Sequence, residues 1–216
     1  MCVASRKAGC PVKWVEDRLE HLVAATSATN RVTSLEAAVT ADGTVTALRW
    51  DQLDDCGAYL RAPEPASLYR THGHMTGPYR IRNLEIRNRV VLTNKTPTGL
   101  NRGFGGPQVY FALERLMHRI ANTLGLDPLD VIRRNLVPKE AFPYRAASGS
   151  LLDSGDYTTA LDIATGDGRL DRLRARRDAA RAAGRRYGIG FAAVVEPSIS
   201  NTVSYTHLTL PTKRIV

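Results

Sequence analysis

Residues 84–124 read LEIRNRVVLTNKTPTGLNRGFGGPQVYFALERLMHRIANTL, and their order decides the fold. Leu84 to Thr93 alternates and then becomes continuously apolar, which predicts a strand. Asn94 to Gly106 is rich in Gly, Thr and Asn and reads as a loop. Val109, Leu113, Leu116 or Met117, Ile120 and Leu124 then recur at helical spacing. Pro107 suits the first turn of that helix, and Gly125 ends it. Gly103, Gly105 and Gly106 let the backbone approach a ligand closely and adopt angles closed to other residues. The free N–H groups of the helix start, at the positive end of its dipole, suit an anionic or oxo group. Phe104 lies between glycines and suits stacking on a flat substrate. Arg102 adds a fixed cation, and Gln108 adds donors and an acceptor. The plainer alternative is a glycine-rich helix cap with Phe104 as a core anchor.

Downstream, Asp127-Pro128 caps and starts a second helix to Asn135, with Leu129, Ile132 and Leu136 inward. Pro138 to Asp156 is irregular. Ser154 is expected to cap a helix over Tyr157 to Ala164, an arginine-rich helix covers Arg169 to Arg186, and Tyr187 to Val195 reads as a buried strand. Upstream, Pro11 to Val15 is strand-like and Glu16 to Ala25 helical. Arg31 to Asp51 reads as a hairpin turned at Asp42-Gly43, both expected at positive φ. Its arms carry Val32, Leu35, Ala37 and Val39, then Val45, Ala47, Leu48 and Trp50. Asp54 to Arg70 is expected to be loop with short helical turns. The fold class is α+β, with mixed sheets and packed helices.

The chain has 216 residues, 43% hydrophobic and 24% charged, the profile of a folded protein with a real core. No apolar run approaches the roughly 20 residues of a membrane span, and Arg6 and Lys7 precede no apolar signal region, so a cytoplasmic protein without membrane partner is expected. The three cysteines, Cys2, Cys10 and Cys56, fit neither a disulfide framework nor a zinc site, nor the four ligands of an iron–sulfur cluster. A net charge of +9 raises the question of nucleic acid. Much of the excess lies in Arg169 to Arg186, where no nucleic-acid motif accompanies it. A solvated face, or one meeting an acidic subunit, is the preferred reading, with a basic nucleic-acid-binding or subunit-scaffolding module without catalysis as the alternative. His72 and His74 lack a third ligand nearby and read as loop hydrogen-bonders, so no metal ligand set is expected. His118 falls in a helical pattern, and Glu196 follows the last strand without an assigned role.

Arg102-Gly103-Phe104-Gly105-Gly106-Pro107-Gln108 resembles the RGFGGPQ segment of the xanthine dehydrogenase and aldehyde oxidase family, in its large, molybdopterin-binding subunit. Pro11 to Arg18 (PVKWVEDR) is similar to that family's PVKW-x-EDR segment. Ala58 to Arg61, Tyr69-Arg70 and Gly77 to Tyr79 resemble the run before its active-site loop. Leu126 to Leu136 resembles its LDP…RRNL helix. The likeness runs from about Val3 to Asn201 and implies residues 1–202 as a partial first molybdopterin-binding domain. It implies a molybdenum–pyranopterin cofactor, as molybdopterin cytosine dinucleotide, that oxidises a small-molecule substrate with water-derived oxygen. FAD and 2Fe-2S clusters would sit on partner subunits, in a dimer of heterotrimers. By resemblance, Arg102, Gly103, Phe104, Gly105, Gly106 and Gln108 bind the cofactor, Phe104 stacks on the substrate, and Arg70 orients it.

The family's upstream GGxFGxK loop, its later GGTEMGQG-like segment and its C-terminal glutamate base are not in this sequence, so the chain alone is expected to be inactive. The carbon monoxide dehydrogenase branch carries cysteine after the loop arginine. Here Gly103 follows Arg102, which points to a heteroaromatic or aldehyde substrate. Asn101 stands where that family usually has an aromatic. Residues 203–216 do not fit what precedes them. Val203 to Leu208 (VSYTHL) is what one reading frame of a transposon-end sequencing adapter encodes, so an artefactual tail is expected there.

Overall fold

The computed structural model describes residues 1–28, 30–60, 72–103 and 105–196. The expectations placed on Phe104, on Arg70 and on 203–216 lie outside the described residues. The fold is α+β. Strands β1 (Asn30–Val39) and β2 (Val45–Asp55) form the expected antiparallel hairpin, and β3 (Asn83–Val91) runs parallel to β2, giving the order β1-β2-β3. β2 continues through Asp55, two residues into the segment expected to be loop.

Alternation along each strand sets one inner face. In register, Ala37, Leu48 and Leu84 make one layer across the three strands, and Leu35, Trp50 and Ile86 the next. Helices α3 (Gly106–Leu124) and α4 (Pro128–Asn135) supply the other half of the core, through Val109, Leu113, Met117, Val131 and Ile132. Trp50 and Met117 are fully enclosed there. Val32 lies on the expected arm of the hairpin but on its opposite face, 72% exposed.

The hairpin turn differs from the expected two-residue form. It spans Thr40 to Thr44, and of the Asp42-Gly43 pair only Gly43 has positive φ, at 88°. Asp42 instead accepts hydrogen bonds from the Thr40 hydroxyl and the Thr44 N–H, so its side chain closes the turn. Asn135 at the end of α4 fastens that turn to the helices: its amide donates to Gly43 O, and its oxygen accepts from Val45 N, each at 2.8 Å.

Elsewhere the periodicity holds where burial enforces it. Asp127 caps α4 by accepting from Leu129 N at 2.8 Å. α5 (Tyr157–Thr165) is capped by Asp156, not Ser154: the Asp156 carboxylate accepts from Thr159 N at 3.0 Å. α6 (Arg169–Ala182) buries Leu170 and Ala180. α2 (Arg18–Ala24) begins in a capping box formed by Asp17 and Glu20. A short helix α1 (Cys2–Ala8) precedes it with no buried residue, and Pro11 to Val15 pairs with nothing and is not a strand. A two-residue pairing of β4 (Tyr144–Arg145) and β5 (Leu151–Leu152) interrupts the irregular stretch.

Tyr187 to Val195 is not a strand. Its odd-numbered residues turn inward, as a strand's would, but no ladder pairs it among the described residues. Side chains of α3 hold it instead. His118 Nε2 contacts both Phe191 O and Phe191 N, at 2.8 and 3.2 Å, and Ala193 N donates to Glu114 Oε2 at 2.8 Å.

Candidate cofactor-binding site

The loop before α3 is fixed on both sides by main-chain bonds. Ser27 N donates to Pro97 O, Gly99 N to Ser27 O, Thr98 N to Cys56 O, and Ala58 N to Lys95 O, at 3.0–3.1 Å. Two glycines make that approach possible. A Cβ on Gly57 would lie 2.4 Å from Thr96 O, and one on Gly99 would lie 2.4 Å from Thr26 Oγ1. The chain then turns into α3 through Gly103 and Gly105, at φ 77° and 90°, with Gly106 N donating to Gly103 O at 2.7 Å. Of the three glycines expected to take angles closed to other residues, Gly103 and Gly105 have positive φ, whereas Gly106 is the first residue of the helix and does not.

A cavity of about 170 Å³ opens beside the turn, lined by Gly99, Asn101, Arg102, Gly105, Pro107 and Gln108, with Ala28 opposite. Arg102, Gly105 and Gln108 of the sequence-predicted set therefore come together on one wall. Arg102 is exposed, and its N–H donates to the Asn101 side chain at 2.8 Å. Gly103 and Gly106 shape the turn from behind: Cβ atoms there would lie 2.9 Å from Pro107 Cδ and 2.9 Å from Tyr110 Cε2. Glu196, which sequence left without a role, also reaches this place, as Tyr110 Oη donates to Glu196 Oε2 at 2.6 Å.

Two features fit an oxygen-rich ligand. No side chain caps the N-terminus of α3, where Gly105 is the cap residue. The Thr98 hydroxyl, one residue before Gly99 of the cavity lining, is buried with no hydrogen-bond partner among the described residues.

Beneath the same end of the sheet, the inner face changes from apolar to polar, which the sequence reading missed. Thr33, Gln52 and Asn88 form the layer after Leu35–Trp50–Ile86, and Arg31 and Asp54 the one after that. Trp50 Nε1 donates to Gln52 Oε1 at 2.7 Å, Gln52 Nε2 to Asp54 Oδ2 at 3.2 Å, and Arg31 meets Asp54 through two contacts. Asn88 Nδ2 meets His72 Nε2 at 3.1 Å, so His72 is a loop hydrogen-bonder as expected, and its burial lowers its pKa. Among the described residues no group of three metal-capable side chains occurs. Glu114 is the second omission: it is buried in α3, accepts from Tyr79 Oη and Ala193 N, and burial pushes its carboxyl up to about 7. The signal for both was in the sequence, as polar residues at positions whose parity or helical phase matches the core.

The arginine-rich helix is partly engaged by its own chain. Arg174 pairs with Asp127 at 2.7 Å, Arg177 with Asp178, Arg172 donates to Asp167 O, and Arg176 lies over the Tyr187 ring. No helix of the described residues is long and apolar enough to cross a membrane.

A three-stranded sheet with helices on one face, and a glycine turn that offers a small-residue cradle at a helix start, define a cofactor-binding domain. Residues 1–136 match the molybdopterin cofactor-binding domain family, and the chain belongs to it. It is 32% identical over 202 residues to the 6-hydroxypseudooxynicotine dehydrogenase complex subunit gamma of Paenarthrobacter nicotinovorans, covering 89% of this chain and 25% of that one. It is 35% identical over 162 residues to the carbon monoxide dehydrogenase large chain of Hydrogenophaga pseudoflava, covering 74% and 20% respectively. Among solved structures, quinoline 2-oxidoreductase from Pseudomonas putida 86 superposes with a TM-score of 0.77 at 33% identity, over 85% of this chain and 24% of that one. This chain thus spans about a quarter of the length of the curated relatives it matches.

Proposed function

We propose that this chain is the part of a molybdenum hydroxylase large subunit that supports a molybdenum–pyranopterin cofactor from one side. The cradle at the start of α3 carries the reading: the uncapped helix N-terminus at Gly105 and the side chains of Arg102 and Gln108 line one cavity, the turn into it is made by two glycines at positive φ, and the Thr98 hydroxyl beside Gly99 is buried without a partner among the described residues. Arg102, Gly103, Phe104, Gly105, Gly106 and Gln108 hold the cofactor, mainly through main-chain N–H groups. Bound there, the cofactor supplies oxidation of a substrate carbon–hydrogen bond with oxygen from water. The protein's share is to position the reactants. Phe104 stacks on a flat ring, Arg70 orients it by charge, and the glycine turn keeps Cβ atoms out of the space between.

Gly103 follows Arg102 where the carbon monoxide branch carries cysteine, which supports a heteroaromatic or aldehyde substrate. The cofactor is the cytosine dinucleotide form, and FAD and 2Fe-2S clusters are carried by partner subunits in a dimer of heterotrimers. The naming of one relative as a subunit of a complex supports such partners. Residues 1–202 are the natural part of this domain, 203–216 an adapter-derived tail, and the chain alone is inactive. The three free thiols support a cytoplasmic protein.

The test is the molybdenum content of a purified polypeptide of the relatives' length that contains this chain. Near-stoichiometric molybdenum is expected, falling to background in a Gly103→Val, Gly105→Val variant that keeps its circular dichroism spectrum. Phe104→Ala should leave the metal in place and lower kcat/KM. A molybdenum-free parent, or full loading of the double variant, overturns the reading.

A further inference from the structure

We propose that the open edge of β1, with the groove beneath it, receives an extended acidic segment from the part of the polypeptide that lies outside this chain. The inference rests on the family reading above, in which relatives are about four times as long as the span matched here.

β1 occupies one edge of the sheet and is 10 residues long. Its alternate backbone N–H and C=O groups face away from β2 and meet no strand among the described residues. Edge strands of this length are normally blunted by lysine, proline, an inward charge or a central bulge. The sequence NRVTSLEAAV has no lysine and no proline, its irregularity lies at the far end between Ala38 and Val39, and Arg31 is consumed by Asp54.

Under that edge lies a groove of about 470 Å³ between β1 and α3. Leu35, Ala112 and Leu116 make its floor apolar, while Arg115 and Arg119, one helical turn apart, line it as well. Both arginines are exposed, and neither has an ion-pair partner among the described residues. Phe111, one turn before Arg115, is 72% exposed at the same groove.

A strand paired with β1 would run about 4.8 Å away, over this groove, and drop every second side chain into it. Over Leu35, Ala112 and Leu116 an apolar side chain gains burial; beside Arg115 and Arg119 a carboxylate gains charge-assisted hydrogen bonds. A second copy is the poorer occupant. Pairing β1 with β1 across a two-fold axis brings the same arginines together in chains that each carry +9.

The experiment compares amide hydrogen exchange of β1 in this chain and in the full-length polypeptide. The β1 amides that face away from β2 should exchange about a hundredfold more slowly in the long protein. The exposed double change Arg115→Glu, Arg119→Glu should remove much of that protection in the long protein, while the hairpin amides facing β2 stay slow in both. Equal exchange of the outward amides in chain and parent overturns the proposal. So does slow exchange in this chain alone that accompanies a dimer in sedimentation, since the occupant is then a second copy. Molybdenum content, measured on the same parent, reports on the cofactor reading independently of β1 protection.

Discussion

Arg31 and Asp54 stand directly opposite each other in the β1–β2 register, and the guanidinium meets the carboxylate through contacts of 2.6 and 3.2 Å. Their side chains are 1% and 0% exposed, so both charges are out of water. Removing one partner strands the other in a medium that solvates it poorly. Asp54→Ala is therefore expected to cost about 3–5 kcal/mol, while Arg31→Met with Asp54→Leu recovers most of it. Urea unfolding of the two variants measures the difference. A single-variant cost under about 1 kcal/mol would show that water reaches the pair.

Glu114 gives a pH dependence with a definite sign. Its folded carboxyl titrates at about 7, above the ordinary value of 4.5, because burial disfavours the charged form. The folded state then holds the proton more tightly than the unfolded chain. Stability from this group is complete below pH 4.5 and is lost as pH rises through 7. The loss is about 3 kcal/mol. Glu114→Gln, neutral throughout, should unfold with a flatter profile over that window. Parallel profiles for the two proteins would place the titration elsewhere.

Gly57 and Gly9 share a positive φ and differ in surroundings. A Cβ at Gly57 meets the backbone oxygen of Thr96 at 2.4 Å, whereas nothing lies within 4 Å at Gly9. Gly9→Ala should cost only the left-handed strain, about 1 kcal/mol. Gly57→Ala must also push the loop at Thr96 away and should cost clearly more. The thermal midpoints of the two variants test the order, and equal shifts would mean that the loop at Thr96 yields freely.

Asp127 serves two partners at once, the Leu129 N–H of its own helix and Arg174 of α6. Asp127→Asn keeps a capping oxygen and loses the ion pair, so its cost should stay under about 1 kcal/mol. Asp127→Ala loses both and should cost about 1–2 kcal/mol. Unfolding free energies that rank asparagine with alanine would assign the stabilisation to the pair with Arg174.

The elements legible in sequence were those whose burial enforces a period. Val109, Leu113, Met117 and Ile120 repeat because one side of α3 is packed, and the cap at Asp127 follows from local chemistry. The turn at Asp42-Gly43 was misread because an aspartate side chain replaced a second left-handed residue. Tyr187 to Val195 has a strand's alternation and lacks a strand's neighbour, and pairing is a long-range property. α1 buries nothing, so no pattern marks it. Arg102, Gly105 and Gln108 were legible together because they lie within seven residues of one another where the turn enters α3. Thr33, Gln52 and Asn88 were not, because they become one layer only once three distant strands are in register.

The extended run from Tyr187 to Glu196 is moored by side chains, those of His118, Glu114 and Tyr110, with Arg176 over Tyr187, where a ladder strand would be stitched at every second residue. A few such moorings release together more readily than a ladder unzips. This end of the molecule is therefore a separate unit of opening, and a protease meeting the native chain should sever it near Gly188 or Gly190 while the hairpin beneath remains whole.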